Sequence, residues 1–270
     1  MTIAGSDSSG GAGIQADLKV IALLGGYGTS VITALTAQNT LGIQGVFPIP
    51  VYFVQAQLQS VLSDIKIQAV KTGMLVQAEI ISLVSKTAKK FKIKKLVVDP
   101  VMVSESGTFL LEQTATRTLI DELFPRAGLV TPNLHEASVL TGLSVRNLNT
   151  MKKAAIILKE KTKGNVLIKG GHLSGAAVDL FYDGYSFSTY SSPRIRSGHT
   201  HGTGCTFSSA IATLWGQGLS LAEAIKKAKE VITQAIAGAE SIGHGNGPTD
   251  PYAWMCADVR KHLREAISGV

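Results

Sequence analysis

The segment His199-Thr200-His201-Gly202-Thr203-Gly204-Cys205-Thr206 concentrates the residues best suited to chemistry. Two glycines let the backbone gather its N–H groups, and a helix opening near Cys205 adds its positive end. Such a turn binds phosphate and stabilises the charge that develops in phosphoryl transfer. Gly202, Thr203 and Gly204 are therefore the expected anion site. Cys205, in the first turn, is expected to have a lowered pKa and to act as base toward an attacking hydroxyl. The plainer reading is a small cysteine filling a gap beside an ordinary helix start.

Three other points carry charge to the ends of apolar runs. Lys169, in Lys169-Gly170-Gly171-His172, follows Val166-Leu167-Ile168 and could set a cation on a transferring phosphate, or be a solvated strand end. Asn133-Leu134-His135-Glu136 has the spacing of a capping box. The same polar pair could hold magnesium through water beside nucleotide phosphates. Asp99 closes Leu96-Val97-Val98 just before Pro100, as a phosphate or metal organiser or as a simple polar terminus.

Two familiar patterns are rejected. Gly5-Ser6-Asp7-Ser8-Ser9-Gly10-Gly11 has P-loop glycine spacing, but Gly11 and Ala12 stand where Lys and Ser/Thr are needed. Gly11-Ala12-Gly13-Ile14-Gln15-Ala16 fits a dinucleotide fingerprint, yet residues 33–38 offer no acid to hold a ribose. A glycine-rich substrate loop opening a helix over 14–24 is the better reading, with a tight turn capped by Ser or Asp as the structural one.

These residues need elements to position them. Strand-like runs at 31–35, 67–71, 96–99, 128–131 and 166–169 alternate with helix-period runs such as Val54, Leu58, Val61, Leu62 and Ile65. Helical patterns follow near 119–123, 134–141, 150–161, 205–216 and 220–240. Val178 to Phe187, broken by Asp183-Gly184, reads as a β-hairpin with a type I′ turn. The alternation predicts an α/β domain, single and undivided, with a mainly parallel sheet covered on both faces and an antiparallel hairpin extension. In such a sheet ligands bind beyond the carboxyl ends of the strands, where all the residues named above fall.

Composition agrees. The 270 residues are 45% hydrophobic and 17% charged, enough for a core and too apolar for disorder. No apolar run reaches the ~20 residues of a membrane span, and Met1 to Asp7 does not read as a signal peptide. Cys205 and Cys256 make no disulfide framework, so a reduced cytoplasm is expected. The net charge of +7 is partly local, with six lysines between Lys86 and Lys95 and one aromatic, Phe91, among them. A solvated helix end explains them better than nucleic acid.

Taken in order, residues 1–13 with Gln15-Ala16-Asp17-Leu18-Lys19, then Thr36-Ala37-Gln38-Asn39-Thr40, Lys71-Thr72-Gly73-Met74 and Val98-Asp99-Pro100-Val101-Met102, form one pattern. It continues through Thr131-Pro132-Asn133-Leu134-His135-Glu136, Lys169-Gly170-Gly171-His172 and Thr200 to Thr206. The set resembles the hydroxymethylpyrimidine/phosphomethylpyrimidine kinases of thiamin biosynthesis. The likeness implies a ribokinase-like three-layer α/β/α fold with a small β-flap, ATP as co-substrate and magnesium. It implies two successive phosphorylations of 4-amino-5-hydroxymethyl-2-methylpyrimidine. It also implies an anion hole at Gly202, Thr203 and Gly204, the phosphate lysine at Lys169, and nucleotide contacts from Asn133, Asp99 and Thr203. Glu136 and Asn133 become the magnesium-associated pair, through water. Cys205 stands where most of the superfamily has Asp, as is typical of vitamin kinases. A cytoplasmic, commonly homodimeric enzyme acting on a small pyrimidine is implied.

The resemblance makes Gln38 the pyrimidine reader, and the physics agrees. An aminopyrimidine edge shows a donor amine beside an acceptor nitrogen, which an amide can match with both its atoms. The alternative is a polar cap on a strand over 31–37. Gly5, Asp17, Met74 and Val101 are further expected substrate contacts, Asp17 at the hydroxymethyl and Met74 with Val101 walling the ring. The rivals are a pyridoxal kinase of the same subgroup and, more distantly, a non-catalytic basic nucleic-acid-binding or regulatory domain.

Overall fold

The computed structural model describes residues 1–102, 113–171, 173, 175–256 and 259. Among them the strands are β1 (Thr2–Ala4), β2 (Ser30–Ile32), β3 (Ala34–Asn39), β4 (Gly42–Pro48) and β5 (Val70–Thr72). They continue with β6 (Leu96–Val98), β7 (Leu129–Val130), β8 (Asn165–Ile168), β9 (Ala177–Tyr182) and β10 (Phe187–Ser192). The main sheet runs β10-β9-β8-β7-β6-β5-β1-β2, parallel from β8 through β2, with β9 and β10 antiparallel at one edge.

Period-two alternation divides its side chains between two cores. Val97, Leu129 and Leu167 pack with helices α1 (Gly13–Leu23), α7 (Thr203–Gly216) and α8 (Leu221–Ala237) on one face. Leu96, Val98, Val130, Val166 and Ile168 pack on the other. That face is covered by α2 (Val51–Asp64), α3 (Ala78–Lys90), α4 (Gln113–Thr118), α5 (Leu134–Thr141) and α6 (Leu148–Lys161). Val54 and Leu58 of α2, and Ile80, Ile81 and Val84 of α3, realise the expected helical stripes. Each such side chain contributes about 1.5–3 kcal/mol on burial. The helix expected around 119–123 is instead a π turn, Leu119–Leu123, between α4 and a single 3₁₀ turn at Phe124–Arg126.

Two local expectations need correction. The 183–186 connection between β9 and β10 has four residues and is not a two-residue type I′ turn. Asp183 Oδ1 accepts from the N–H groups of Tyr185 and Ser186, both at 2.7 Å, which closes the wider turn. The run over 31–37 is not one strand either. At Thr33 the chain leaves the main sheet, donating its hydroxyl to Met74 O at 2.6 Å, and β3 pairs with β4 in a separate two-stranded flap. Gln38 lies within β3 opposite Ile43, so it caps nothing.

A buried ion pair joins β5 to α1. Lys71 of β5 places Nζ 2.9 Å from both carboxylate oxygens of Asp17 on α1, with side chains 2% and 0% exposed. Thr2 of β1 and Ser209 of α7 donate hydroxyls to the same carboxylate at 2.5 and 2.6 Å. Removing one partner strands the other charge away from water. Lys71→Met is therefore expected to cost about 3–5 kcal/mol in urea unfolding, and Lys71→Met with Asp17→Leu to recover most of it. Equal stability of Lys71→Met and the parent would show that the pair is electrostatically idle.

Candidate active site

The parallel strands end at one rim, and a cavity of about 170 Å³ opens there between the flap and the start of α7. A larger, more open groove of about 730 Å³ lies between α2 and α3 and shares no lining residue with this rim. The rim cavity brings together Gly5, Gln38, Met74, Asp99, Val101, Asn133, Glu136, Lys169, Gly202, Gly204 and Cys205. His172 lies outside the described residues.

The start of α7 follows from its glycines. Gly202 is its N-cap at φ +79°, and a Cβ there would stand 1.8 Å from Gly11 O of the glycine loop. Only glycine combines that backbone with that approach. A Cβ on Gly204 would point to Lys169 Nζ at 3.3 Å and Asp99 Oδ2 at 3.6 Å, so the helix start faces the charged cluster. Of the three residues expected to form the anion site, Gly202 and Gly204 line the cavity and Thr203 does not. Thr203 spends both N–H and hydroxyl on Thr200 O, at 3.1 and 2.6 Å, and does not line the cavity. Gly204 and Cys205, which do, have first-turn N–H groups without intrahelical acceptors.

Lys169, just past β8, places Nζ 2.6 Å from Asp99 Oδ1, with side chains 13% and 1% exposed. Burial opposes its charge, but Asp99 and Glu136 outweigh burial and hold its pKa above the usual lysine value. Thr131 and Ser208 donate hydroxyls to Asp99 at 3.1 and 3.2 Å. Asn133 and Glu136 form the capping box: Glu136 Oε2 accepts from the Asn133 N–H at 2.7 Å, and Asn133 Oδ1 from the Glu136 N–H at 2.8 Å. Both also line the cavity, so capping does not remove them from the site. Burial pushes Glu136 up to about 7, against the pull of Lys169.

Cys205 does not have the lowered pKa expected of a helix start. Burial pushes the thiol up to about 11, with Lys71 opposing and Asp17 and Asp99 adding to the rise. Desolvation and two nearby carboxylates outweigh the lysine and the helix end. Asp17 is also displaced from its expected role. Its carboxylate is fully buried against Lys71 and is absent from the cavity lining.

Asp7, His201, Ser6, Thr36 and Ile43, which the sequence does not single out as site residues, also stand in the cavity wall. Asp7 orders the glycine loop from inside: Oδ1 accepts from Ser9 N–H at 2.8 Å, and Oδ2 from Gly11 and Ala12 N–H at 3.1 and 2.8 Å. Those amides are satisfied by a carboxylate of their own loop, which accounts physically for the missing P-loop chemistry. His201 Nε2 meets Asp7 Oδ2 at 2.7 Å. Burial works to raise the Asp7 pKa, but the hydrogen bonds from His201 and Ser9 hold it down to about 2. An acid among glycines and a histidine beside Gly202 were the available signals.

A mostly parallel sheet between two helical layers, with a glycine-shaped helix start, a buried lysine and a small cavity at the strand ends, is the architecture of the ribokinase-like vitamin kinases. Residues 7–250 match the family model for phosphomethylpyrimidine kinase. The chain belongs to that family. It is 51% identical over 261 residues to the thiamine biosynthesis bifunctional protein ThiED of Geobacter sulfurreducens, covering 96% of this chain and 53% of that one. The chain thus spans about half the length of that relative. It is 45% identical to the hydroxymethylpyrimidine/phosphomethylpyrimidine kinase of Haemophilus influenzae, covering 94% of this chain and 96% of that one. The ADP complex of Bacillus subtilis pyridoxal kinase superposes with a TM-score of 0.88 at 41% identity, covering 93% and 96% of the two chains.

The raised thiol pKa has a direct readout. Alkylation of Cys205 by iodoacetamide should be slow near neutrality and accelerate as pH climbs toward about 11, while exposed Cys256 reacts first. Peptide mass mapping across pH separates the two cysteines. Half-maximal Cys205 labelling near neutral pH would restore the thiolate reading.

Proposed function

We propose that the chain transfers the γ-phosphoryl group of ATP to 4-amino-5-hydroxymethyl-2-methylpyrimidine, and then to the monophosphate, in thiamin biosynthesis. The observation that carries this reading is one cavity lined by both Gln38, whose amide suits an aminopyrimidine edge, and Lys169 with the start of α7. The pyrimidine would lie against Met74 and Val101, with its hydroxymethyl toward Cys205 and Gly204. The N–H groups of Gly204 and Cys205 and the Lys169 ammonium then meet charge growing on the transferred phosphoryl. A thiol held near 11 is neutral at physiological pH. Catalysis thus leans on positioning and electrostatics, with the hydroxyl losing its proton late in a loose transition state.

Asn133 and Glu136 fit a water-mediated magnesium site. Their carbonyl and carboxylate oxygens are hard donors at the cavity wall, with lone pairs beyond those used in the capping box. When bound, magnesium would neutralise charge on the nucleotide phosphates. Within this proposal the enzyme is a cytoplasmic homodimer that binds no nucleic acid. The cross-strand pair Leu35 and Phe47, 46% and 63% exposed on the outer side of the flap, supports a subunit contact.

The likeness to pyridoxal kinases favours a second reading, phosphorylation of a B6 vitamer. An ADP-release assay with each substrate and product mass analysis tests both. The pyrimidine is expected to turn over, giving the mono- and then the diphosphate, and a tenfold or greater preference for pyridoxal would replace the proposal. Lys169→Ala is expected to lower kcat by about 10²-fold or more with a smaller change in ATP affinity. A change confined to the ATP KM would assign the lysine to ground-state binding.

A further inference from the structure

His201 occupies a position that the phosphoryl-transfer chemistry does not explain. Its backbone belongs to the anion loop, one residue before the N-cap of α7, and is held by bonds from His201 N to Gly247 O at 3.1 Å and from Thr249 N to His201 O at 3.0 Å. Its ring reaches into the wall between the glycine loop and the flap, only 15% exposed. There Nε2 lies 2.7 Å from Asp7 Oδ2 and 3.2 Å from the Gln38 amide nitrogen. The space is tight, since a Cβ on Gly11 would stand 2.5 Å from the ring carbon Cδ2.

The chemistry of that nitrogen is decided by Asp7. Asp7 remains ionised at any physiological pH. A carboxylate accepts only, so Nε2 must carry the proton in the neutral and in the charged imidazole alike. A nitrogen that donates has no lone pair to offer an amide NH₂. The favourable atom of Gln38 there is its oxygen, which a half-turn about the last side-chain bond brings to the imidazole, where it removes a donor–donor contact and shares the single Nε2–H with Asp7 as the longer arm of a bifurcated bond. That turn aims the NH₂ into the cavity and leaves the second lone pair of the oxygen beside it. The result is a donor next to an acceptor in fixed order, the pattern that an aminopyrimidine edge requires. Among the described residues Gln38 is otherwise tied through its backbone, to Ser8 Oγ at 2.8 Å and to Ile43 across the flap.

We propose that His201, polarised by Asp7, is a positioning residue that sets the orientation of the Gln38 amide and thereby the choice of ring edge. The inference rests on the pyrimidine-kinase reading above and deepens it. It also joins ring recognition to the anion loop through one side chain, because the residue that orders the reader is the neighbour of Gly202.

The test is a double-mutant cycle on the full chain, with KM and kcat measured for the hydroxymethyl pyrimidine and for ATP. His201→Leu should raise the pyrimidine KM about tenfold, with the ATP KM changed less than about twofold. His201→Gln, whose amide N–H can stand near the lost imidazole donor, should return the pyrimidine KM to within about threefold of the parent. In a Gln38→Leu background, His201→Leu should add less than about twofold. Effects that multiply in the double variant, or an unchanged pyrimidine KM in His201→Leu, would overturn the inference. If His201→Leu does not fold, His201→Asn, which is polar but too short, takes its place in the cycle. Wild-type turnover of pyridoxal instead of the pyrimidine would defeat the functional reading alone. The side-chain amide ¹⁵N resonance of Gln38 would still decide the inference, which a shift on His201 substitution supports and an unmoved signal refutes.

Discussion

The Asp17–Lys71 pair is the interaction on which the rest of the molecule depends. Two charges excluded from water must stay matched, and here the match draws in four elements. α1 carries the glycine loop at its start, β5 runs into Thr72-Gly73-Met74, and α7 opens beside the cavity at Gly202 and Gly204. β1, which contributes Thr2, leads into Gly5. Any shift of these elements relative to one another would pull apart hydrogen bonds of 2.5–2.9 Å that no solvent can replace. The site inherits its rigidity from this anchor.

The same anchor governs Cys205. Ser209, which bonds Asp17, lies one helical turn beyond the cysteine on α7. The thiol therefore feels Lys71 pulling toward ionisation and Asp17 pushing against it, while burial outweighs both. A helix start in water would favour the thiolate. One packed on a buried ion pair in a closed wall does not.

A second cluster is balanced before any substrate arrives. Lys169 is neutralised by Asp99, and Asp99 is steadied by Thr131 and Ser208. Glu136 sits beside them as part of a helix cap. Charge arranged in advance costs little reorganisation when a phosphoryl group passes. The flap completes the opposite wall. Thr36 and Gln38 face inward from β3 while Leu35 and Ala37 face out, by the ordinary alternation of a strand.

Much of this was legible in the residues alone. Runs such as Leu96-Val97-Val98 and Val166-Leu167-Ile168 are apolar on both sides because parallel strands are covered on both faces, so their place at the centre of the sheet could be read directly. Capping at Asn133, the edge hairpin and the family pattern are likewise local, written in neighbouring residues. The resemblance implies a small flap, but periodicity does not place it at β3 and β4, because these strands are half-polar and pair with each other, and the turn at Thr33 depends on a bond to Met74 O. Asp17, Asp7 and His201 were misplaced or passed over for a common reason. Asp7 and His201 stand 194 residues apart, and Asp17 and Lys71 stand 54 apart. Periodicity and motif spacing specify what the backbone does within a few turns. Which carboxylate is buried against which cation, and whether a thiol is solvated, is decided only when distant segments close around them and exclude water.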